Sequence, residues 1–307
     1  MIDVGALRTY ADTAAYLTAW QAVRMLPEAL AAAGFRGVAD EAWRRRGRGV
    51  RQLERNLARV TGADPEGAGV RRLSREAMRS YARYWLEVFR LPAMDAAAIR
   101  ARVRIDGWHR VTDAVRERGA VVALPHMGNW DLAGAWAAVQ GVPVTAVAER
   151  LEPVAVYDRF VAFRRAIGIE VLGLGDADLV TALVDRAVRH RLVALVADRD
   201  LGRGGVEVDF CGEPARMPAG PATVALRAGV PLLPVTLWYE DRLAIRVHEA
   251  VPVPAVGPER ERAEQMTRAV AGVFTTGVRA HPRDWHMLQR FWLADRPGAR
   301  QRAEAGG

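Results

Sequence analysis

From residue 119 onward the chain alternates short β-branched runs with stretches long enough for helices, and few folds accommodate that alternation. The runs are VVAL at Val121, VPVTAVA at Val142, IEVLGL at Ile169 and LVALVA at Leu192. Residues 132–140, 154–167 and 178–190 fill the gaps with helical periodicity. Parallel strands need a crossover and helices supply it, so the pattern predicts βαβ units and a mostly parallel sheet. Further strands are predicted at 206–210, 232–239 and 243–247, followed by a helix over 261–279. Residues 210–221, with Gly212, Pro214, Pro218 and Gly220, read as a stiff loop ahead of a helix starting near Ala222. The fold class is therefore α/β, a mostly parallel central sheet flanked by helices.

The first third has a different texture. Apolar residues recur every three or four positions, and Gly or Pro marks the breaks, which predicts helices over 6–33, 40–60 and 70–89. In the last of these, Leu73, Ala77, Tyr81, Tyr84, Trp85 and Val88 form one stripe, while Arg71, Arg72, Arg75, Arg79 and Arg83 fall mostly elsewhere. Between Arg36 and Arg59, eight arginines stand against Asp40, Glu41 and Glu54, with Trp43, Leu53 and Leu57 interspersed. That stretch reads as a helix able to lie on anionic lipid. Residues 1–296 are expected to form one domain, with 1–118 a helical, membrane-facing part and 119–296 the sheet-containing catalytic core. Residues 297–307 read as a disordered tail.

With 307 residues and 50% hydrophobic content, the chain can bury a sizeable core. The single Cys211 excludes an intrachain disulfide, and no signal-peptide pattern opens the chain, so the cytoplasm is the default compartment. No run of 18 apolar residues is present to span a bilayer. A formal charge of +8 favours anionic partners without choosing among lipid headgroups, nucleic acid and phosphorylated small molecules. All 44 basic residues are arginine, which reflects a GC-rich genome more than a need for bidentate recognition. The six histidines lack compact ligand spacing, so neither a metal nor another cofactor is expected. No GxSxG elbow or GxxxxGK loop is present.

One segment carries chemistry. In PHMGNWD, His126 follows an apolar run and Asp131 comes five residues later, just before a helical stretch. On one continuous helix the two side chains would lie about 140° apart. With His126 on the loop leaving a strand and Asp131 in the first turn of the next helix, Gly128 can bend the chain so that the carboxylate reaches the imidazole. The carboxyl end of a parallel strand is also where open α/β sheets place ligands. A neutral imidazole there can take a hydroxyl proton while a carboxylate fixes its tautomer. The plain alternative is a packed histidine and an Asp favoured by the helix dipole.

The His, four residues, Asp pattern after a strand resembles the glycerolipid and lipid A acyltransferase superfamily. Five segments in order narrow the likeness: the stretch from WQAVRMLPEAL to RNLARV, YARYWLEVFRLP, PHMGNWDLAGAW, ADRDLGRGGVEVDFCGEPARMPAGPA and DWHMLQRFW. They resemble the phosphatidylinositol mannoside acyltransferases of mycobacteria and related actinobacteria, and the likeness runs from about Tyr16 to Trp292. The resemblance implies His126 as general base and Asp131 as its orienting partner. It implies a long-chain acyl-coenzyme A donor, palmitoyl expected, and as acceptor the 6-hydroxyl of a mannose on phosphatidylinositol mannoside.

By the same resemblance Arg164 lies near the reaction centre, where it would bind an acceptor phosphate or an oxyanion. Asn129, Glu149 and Asp200 are further substrate-binding candidates, the two acids because strand-end carboxylates can bond sugar hydroxyls. Asp200 stands where the family pattern carries the longer Glu, and Asp198 and Arg199 are expected to pair with each other. The loop over 210–221 would line the donor site. The acceptor being an anionic membrane lipid, the expected location is the cytoplasmic face of the plasma membrane, held peripherally, with no nucleic-acid partner. Two alternatives stay open: a lipid A type enzyme using acyl carrier protein, and a basic lipid- or nucleic-acid-binding protein without catalysis.

Overall fold

The computed structural model describes residues 23–150, 154–200 and 204–295. Most of the helix expected over 6–33, and the expected tail, lie outside the described residues. The helical region comprises α1 (Glu28–Arg45), α2 (Arg48–Thr61), α3 (Ala68–Arg90) and the short α4 (Ala96–Ala101). The break between α1 and α2 falls at Arg46, left-handed at φ 46°, followed by Gly47. The remaining elements are β1 (Val103–Asp106), α5 (Trp108–Glu117), β2 (Ala120–Leu124), α6 (Trp130–Val139), β3 (Val144–Ala148), α7 (Val154–Ala166), β4 (Ile169–Gly173), α8 (Leu179–Ala187) and β5 (Leu192–Val196). After them come β6 (Val206–Phe210), β7 (Glu213–Met217), α9 (Gly220–Ala228), β8 (Leu232–Tyr239), β9 (Leu243–Val247) and α10 (Glu259–Ala280).

Seven strands form one sheet in the order β1-β9-β8-β2-β5-β3-β4. Neighbours from β8 to β4 run parallel; β9 is antiparallel to β8, and β1 is parallel to β9. The class is α/β with a mostly parallel sheet. Strand β2 is central and wholly buried, as a run of five apolar residues covered on both faces must be. Its alternation splits the core. Val121 and Ala123 face α8, α9 and α10, while Ala120, Val122 and Leu124 face α3, α5 and α6.

Two parts of the sequence reading change. Val103–Asp106, inside the stretch read as helical, adds an edge strand by pairing with Leu243–Val247. The expected loop over 210–221 is instead the second half of a hairpin, β6 against β7. Its two-residue turn is Cys211 and Gly212, at φ 58° and 87°, the double positive φ that a tight hairpin needs. Phe210 anchors this hairpin against Trp285, Phe291 and Trp292.

The amphipathic reading of α3 is also refined. Its stripe residues Ala77, Tyr84 and Val88 are buried, and Arg71, Arg75, Arg79 and Arg83 pair with Glu54, Asp40 and Glu87. Leu53 and Leu57, read as facing lipid, are instead interior, and Trp43 lies under the Arg71 guanidinium. The exposed large apolar residues here are Met25, Leu26, Leu30 and Val38. No helix of the described residues is long and apolar enough to cross a membrane.

Candidate active site

Strands β2, β5 and β3 are neighbours and point the same way, so their carboxyl ends deliver His126, Asp198 and Glu149 to one edge of the sheet. Register makes the first two meet. Leu124 pairs with Val196, so His126 and Asp198 each stand two residues beyond a matched position, on the same side of the pleat. His126 Nδ1 lies 2.5 Å from Asp198 Oδ1, and the His126 amide donates to Asp198 Oδ2 at 3.0 Å. The Trp285 indole N–H donates to the same Oδ2 at 2.9 Å.

Asp198 is fully buried, and burial alone would raise its pKa. The positive charge that His126 carries when protonated, together with hydrogen bonds from His126 and Trp285, outweighs that and holds the carboxyl below its ordinary value. An ionised carboxylate only accepts, so Nδ1 carries the imidazole proton and Nε2 keeps its lone pair. The His126 side chain is 32% exposed, enough for a substrate hydroxyl to approach. Its ring stands edge-on to Trp130, with centroids 5.4 Å apart.

Asp131, expected to orient His126, does something else. It does sit in the first turn of α6, but its carboxylate faces α7 and α3: Oδ1 accepts from Arg164 Nε at 2.7 Å, and Oδ2 accepts from the Tyr84 hydroxyl at 2.9 Å. Arg164 Nη2 adds a longer bond to Oδ2 at 3.3 Å. Both oxygens are thus engaged, and the orienting place is taken by Asp198. Desolvation works against the Arg164 charge, but Asp131 more than offsets it and raises the pKa further, so the guanidinium stays charged. The buried Tyr84 phenol, raised by desolvation and by the Asp131 charge, stays protonated as a donor.

Asn129, expected at the substrate, is fully buried and caps α6. Its Oδ1 accepts from the Leu132 amide and its Nδ2 donates to Glu87, so both ends are engaged. Gly128 turns the chain at φ 58°, and a Cβ there would come 3.0 Å from that of Leu237. Asp198 and Arg199 do not pair as expected: Asp198 belongs to His126, and Arg199 lies 3.8 Å from Glu149, which is exposed. Asp200 accepts from the Gly205 amide at 3.2 Å and so holds its own loop. Asp198 and Trp285 are the site residues that sequence reasoning missed. The available signal was the match between AVVALPH and LVALVAD once β2 and β5 are set side by side.

Beside this pair, between the sheet and helices α5 and α6, lies an apolar cavity of about 100 Å³. Val122, Val196, Leu237, Ala137 and Trp136 are among its walls. Asp131 and Arg164 are its only charged lining among the described residues, and Trp130 adjoins both the cavity and His126. A proton acceptor next to an apolar space suits transfer of an apolar acyl group to a hydroxyl.

That chemistry agrees with the comparisons. The chain belongs to the bacterial lipid A biosynthesis acyltransferase family, whose model matches residues 3–294, and membership makes it an O-acyltransferase. It is 44% identical over 286 residues to the phosphatidylinositol mannoside acyltransferase of Mycolicibacterium smegmatis, covering 91% of each chain. It is 43% identical over 294 residues to the protein of that name in Mycobacterium tuberculosis strain H37Rv, covering 94% of this chain and 90% of that one.

Proposed function

We propose that this chain moves a long-chain acyl group, palmitoyl in the first instance, from acyl-coenzyme A to the 6-hydroxyl of a mannose on phosphatidylinositol mannoside. The acceptor class comes from the names of the relatives, which share more than two fifths of their residues with this chain along nearly its whole length. The observation that carries the mechanism is the His126–Asp198 pair opening beside the apolar cavity.

The steps balance as follows. Nε2 of His126 takes the proton of the acceptor hydroxyl as its oxygen attacks the thioester carbonyl carbon. Asp198 stabilises the imidazolium that forms. The tetrahedral oxyanion collapses, the C–S bond breaks, and the leaving thiolate takes the proton from His126. No covalent enzyme intermediate is needed. The cavity takes up the methylenes of the acyl chain nearest the thioester, and Arg164, fixed by Asp131 on its lining, is the proposed source of positive charge for the oxyanion or for an acceptor phosphate. Glu149, exposed at the same edge, is the proposed partner of sugar hydroxyls, and Asp200 holds the loop beside it.

An anionic membrane surface is the natural source of such an acceptor. The exposed Leu30 and Val38 with the arginines of α1 and α2 supply the contact. The deciding assay measures thiol release from palmitoyl-coenzyme A with and without mannosylated phosphatidylinositol, beside His126→Ala. Acceptor-dependent release abolished by that substitution is the expected result, and release indifferent to it refutes the mechanism. Faster turnover with acyl carrier protein thioesters would transfer the donor role to that carrier.

A further inference from the structure

Helix α3 carries a polar stripe as well as its apolar one. Ser80, Tyr84 and Glu87 stand at i, i+4 and i+7, so they share one face, and all three are buried. Each reaches the turn between β2 and α6. Ser80 donates to Asp284 Oδ1 at 2.7 Å, and the Asp284 carbonyl accepts from the Gly128 amide at 2.9 Å. The Tyr84 hydroxyl donates to Asp131, and Glu87 Oε2 accepts from Asn129 Nδ2 at 2.8 Å. One helix face thus holds the turn at three places, Gly128, Asn129 and Asp131, while Asp198 anchors it at His126.

Glu87 has the most direct hold. Its partner Asn129 uses the other end of its amide to cap α6, so the Glu87 bond fixes the rotation of a side chain built into the turn. Oε2 also accepts from the Tyr239 hydroxyl at 2.7 Å, and Oε1 accepts from Arg83 Nε at 2.9 Å. A carboxylate only 7% exposed is costly to keep, and its three donors serve mainly to offset that cost. An apolar side chain of similar size would serve stability as well. What the carboxylate adds is direction, since it accepts along fixed lines from the turn and from the end of β8. Holding a base to within about 0.5 Å of its working geometry needs directional support of that kind.

We propose that Glu87 is a positioning residue for acyl transfer, acting through Asn129 to hold the turn that aims His126 Nε2 at the acceptor hydroxyl. Ser80 and Tyr84 are its companions on the same face. The proposal rests on His126 as the base. Glu87 bonds neither His126 nor Asp198 among the described residues, so its loss should slow the chemical step and leave substrate binding alone.

Thiol release from palmitoyl-coenzyme A with mannosylated phosphatidylinositol, read below the melting transition of every variant, tests it with three substitutions. Glu87→Met fills the same space without an acceptor. Glu87→Gln keeps a carbonyl oxygen for Asn129 and Tyr239, while Arg83, 36% exposed, can turn to water. Asn129→Ser keeps a cap for α6 but does not reach Glu87. Glu87→Met and Asn129→Ser should each lower kcat by about 10- to 100-fold with KM unchanged, and Glu87→Gln should recover most of that loss. The double variant Glu87→Met/Asn129→Ser should be no slower than the slower single one, because both cut the same bond. Wild-type kcat in Glu87→Met, a Glu87→Gln enzyme as slow as Glu87→Met, or single losses that multiply in the double variant would overturn the proposal.

A second readout does not depend on turnover. In nitrogen NMR spectra of histidine-labelled protein, the His126 ring is assigned by its loss in His126→Gln. It should carry its proton on Nδ1 in the wild type and in Glu87→Gln, and become a mixture of tautomers in Glu87→Met. Identical His126 spectra in all three would overturn the positioning role. A wild type that shows the expected spectra and releases no thiol would overturn the acyl-transfer reading and leave the positioning of the imidazole standing.

Discussion

At the scale of single residues, two carboxylates near one histidine have different work, and substitution should tell them apart. Asp198→Asn removes the acceptor that keeps the proton on Nδ1, so the tautomer with a free Nε2 loses its support. Turnover should fall by about 10²- to 10⁴-fold with little change in KM, read by steady-state thiol release. Asp131→Asn instead leaves the Arg164 guanidinium, only 17% exposed, without its counter-charge. That should cost about 3–5 kcal/mol in urea denaturation, the usual penalty for breaking a buried pair. A loss of stability in Asp198→Asn larger than in Asp131→Asn would reverse these roles. His126 was legible in the sequence because a histidine at the end of an apolar run invites the reading. Asp198 was not, because its partnership with His126 crosses 72 residues of chain and exists only through strand register.

At the scale of elements, the strand-to-helix turn after β2 carries the proposed base, and its conformation rests on Gly128 and Asn129. Gly128→Ala places a Cβ against Leu237 at a positive φ, so the turn must shift, costing about 1–3 kcal/mol. Because the same turn carries His126, kcat should fall alongside the melting temperature. An alanine variant with wild-type kcat would show that the turn tolerates movement. The alternation of strands and helices was legible because each buried strand is a short apolar run. Strand β1 was not: its VRID carries Arg104 and Asp106, and only the edge of β9 makes a strand of it. The β6–β7 hairpin was hidden by Pro214 and Gly212, which read as loop residues although one turn and one strand use both.

At the scale of the whole molecule, the C-terminal segment closes the site from behind. Trp285 holds Asp198, and His286, wholly inside, bonds Ser80 through Nε2 at 3.0 Å. Burial, then the charge of His126, pushes the His286 pKa down to about 3. The unfolded chain takes up that proton near pH 6.5 and the folded chain only near 3, so the unfolded state binds more protons in between. Stability should therefore fall as pH drops below about 6.5, by up to ~1.4 kcal/mol per pH unit. Asp198 acts lower: with its folded pKa depressed, its contribution persists through that window and is lost only below the usual carboxylate range. Thermal melts from pH 7 to 4 should show the decline, and His286→Gln should flatten it. An equal slope in the variant would assign the effect elsewhere.

The sequence by itself determined the class of fold, the helical first third and the histidine, because all three are written in local periodicity and in residues adjacent along the chain. Ordered segments from end to end also marked the family, which the comparisons then showed. Tertiary structure decided which carboxylate serves His126, that Asn129 caps a helix, and that Leu53 and Leu57 are core rather than lipid-facing. Each of these depends on which strand lies beside which and which helix face turns inward. Such contacts are set by packing between distant segments, and no local pattern encodes them.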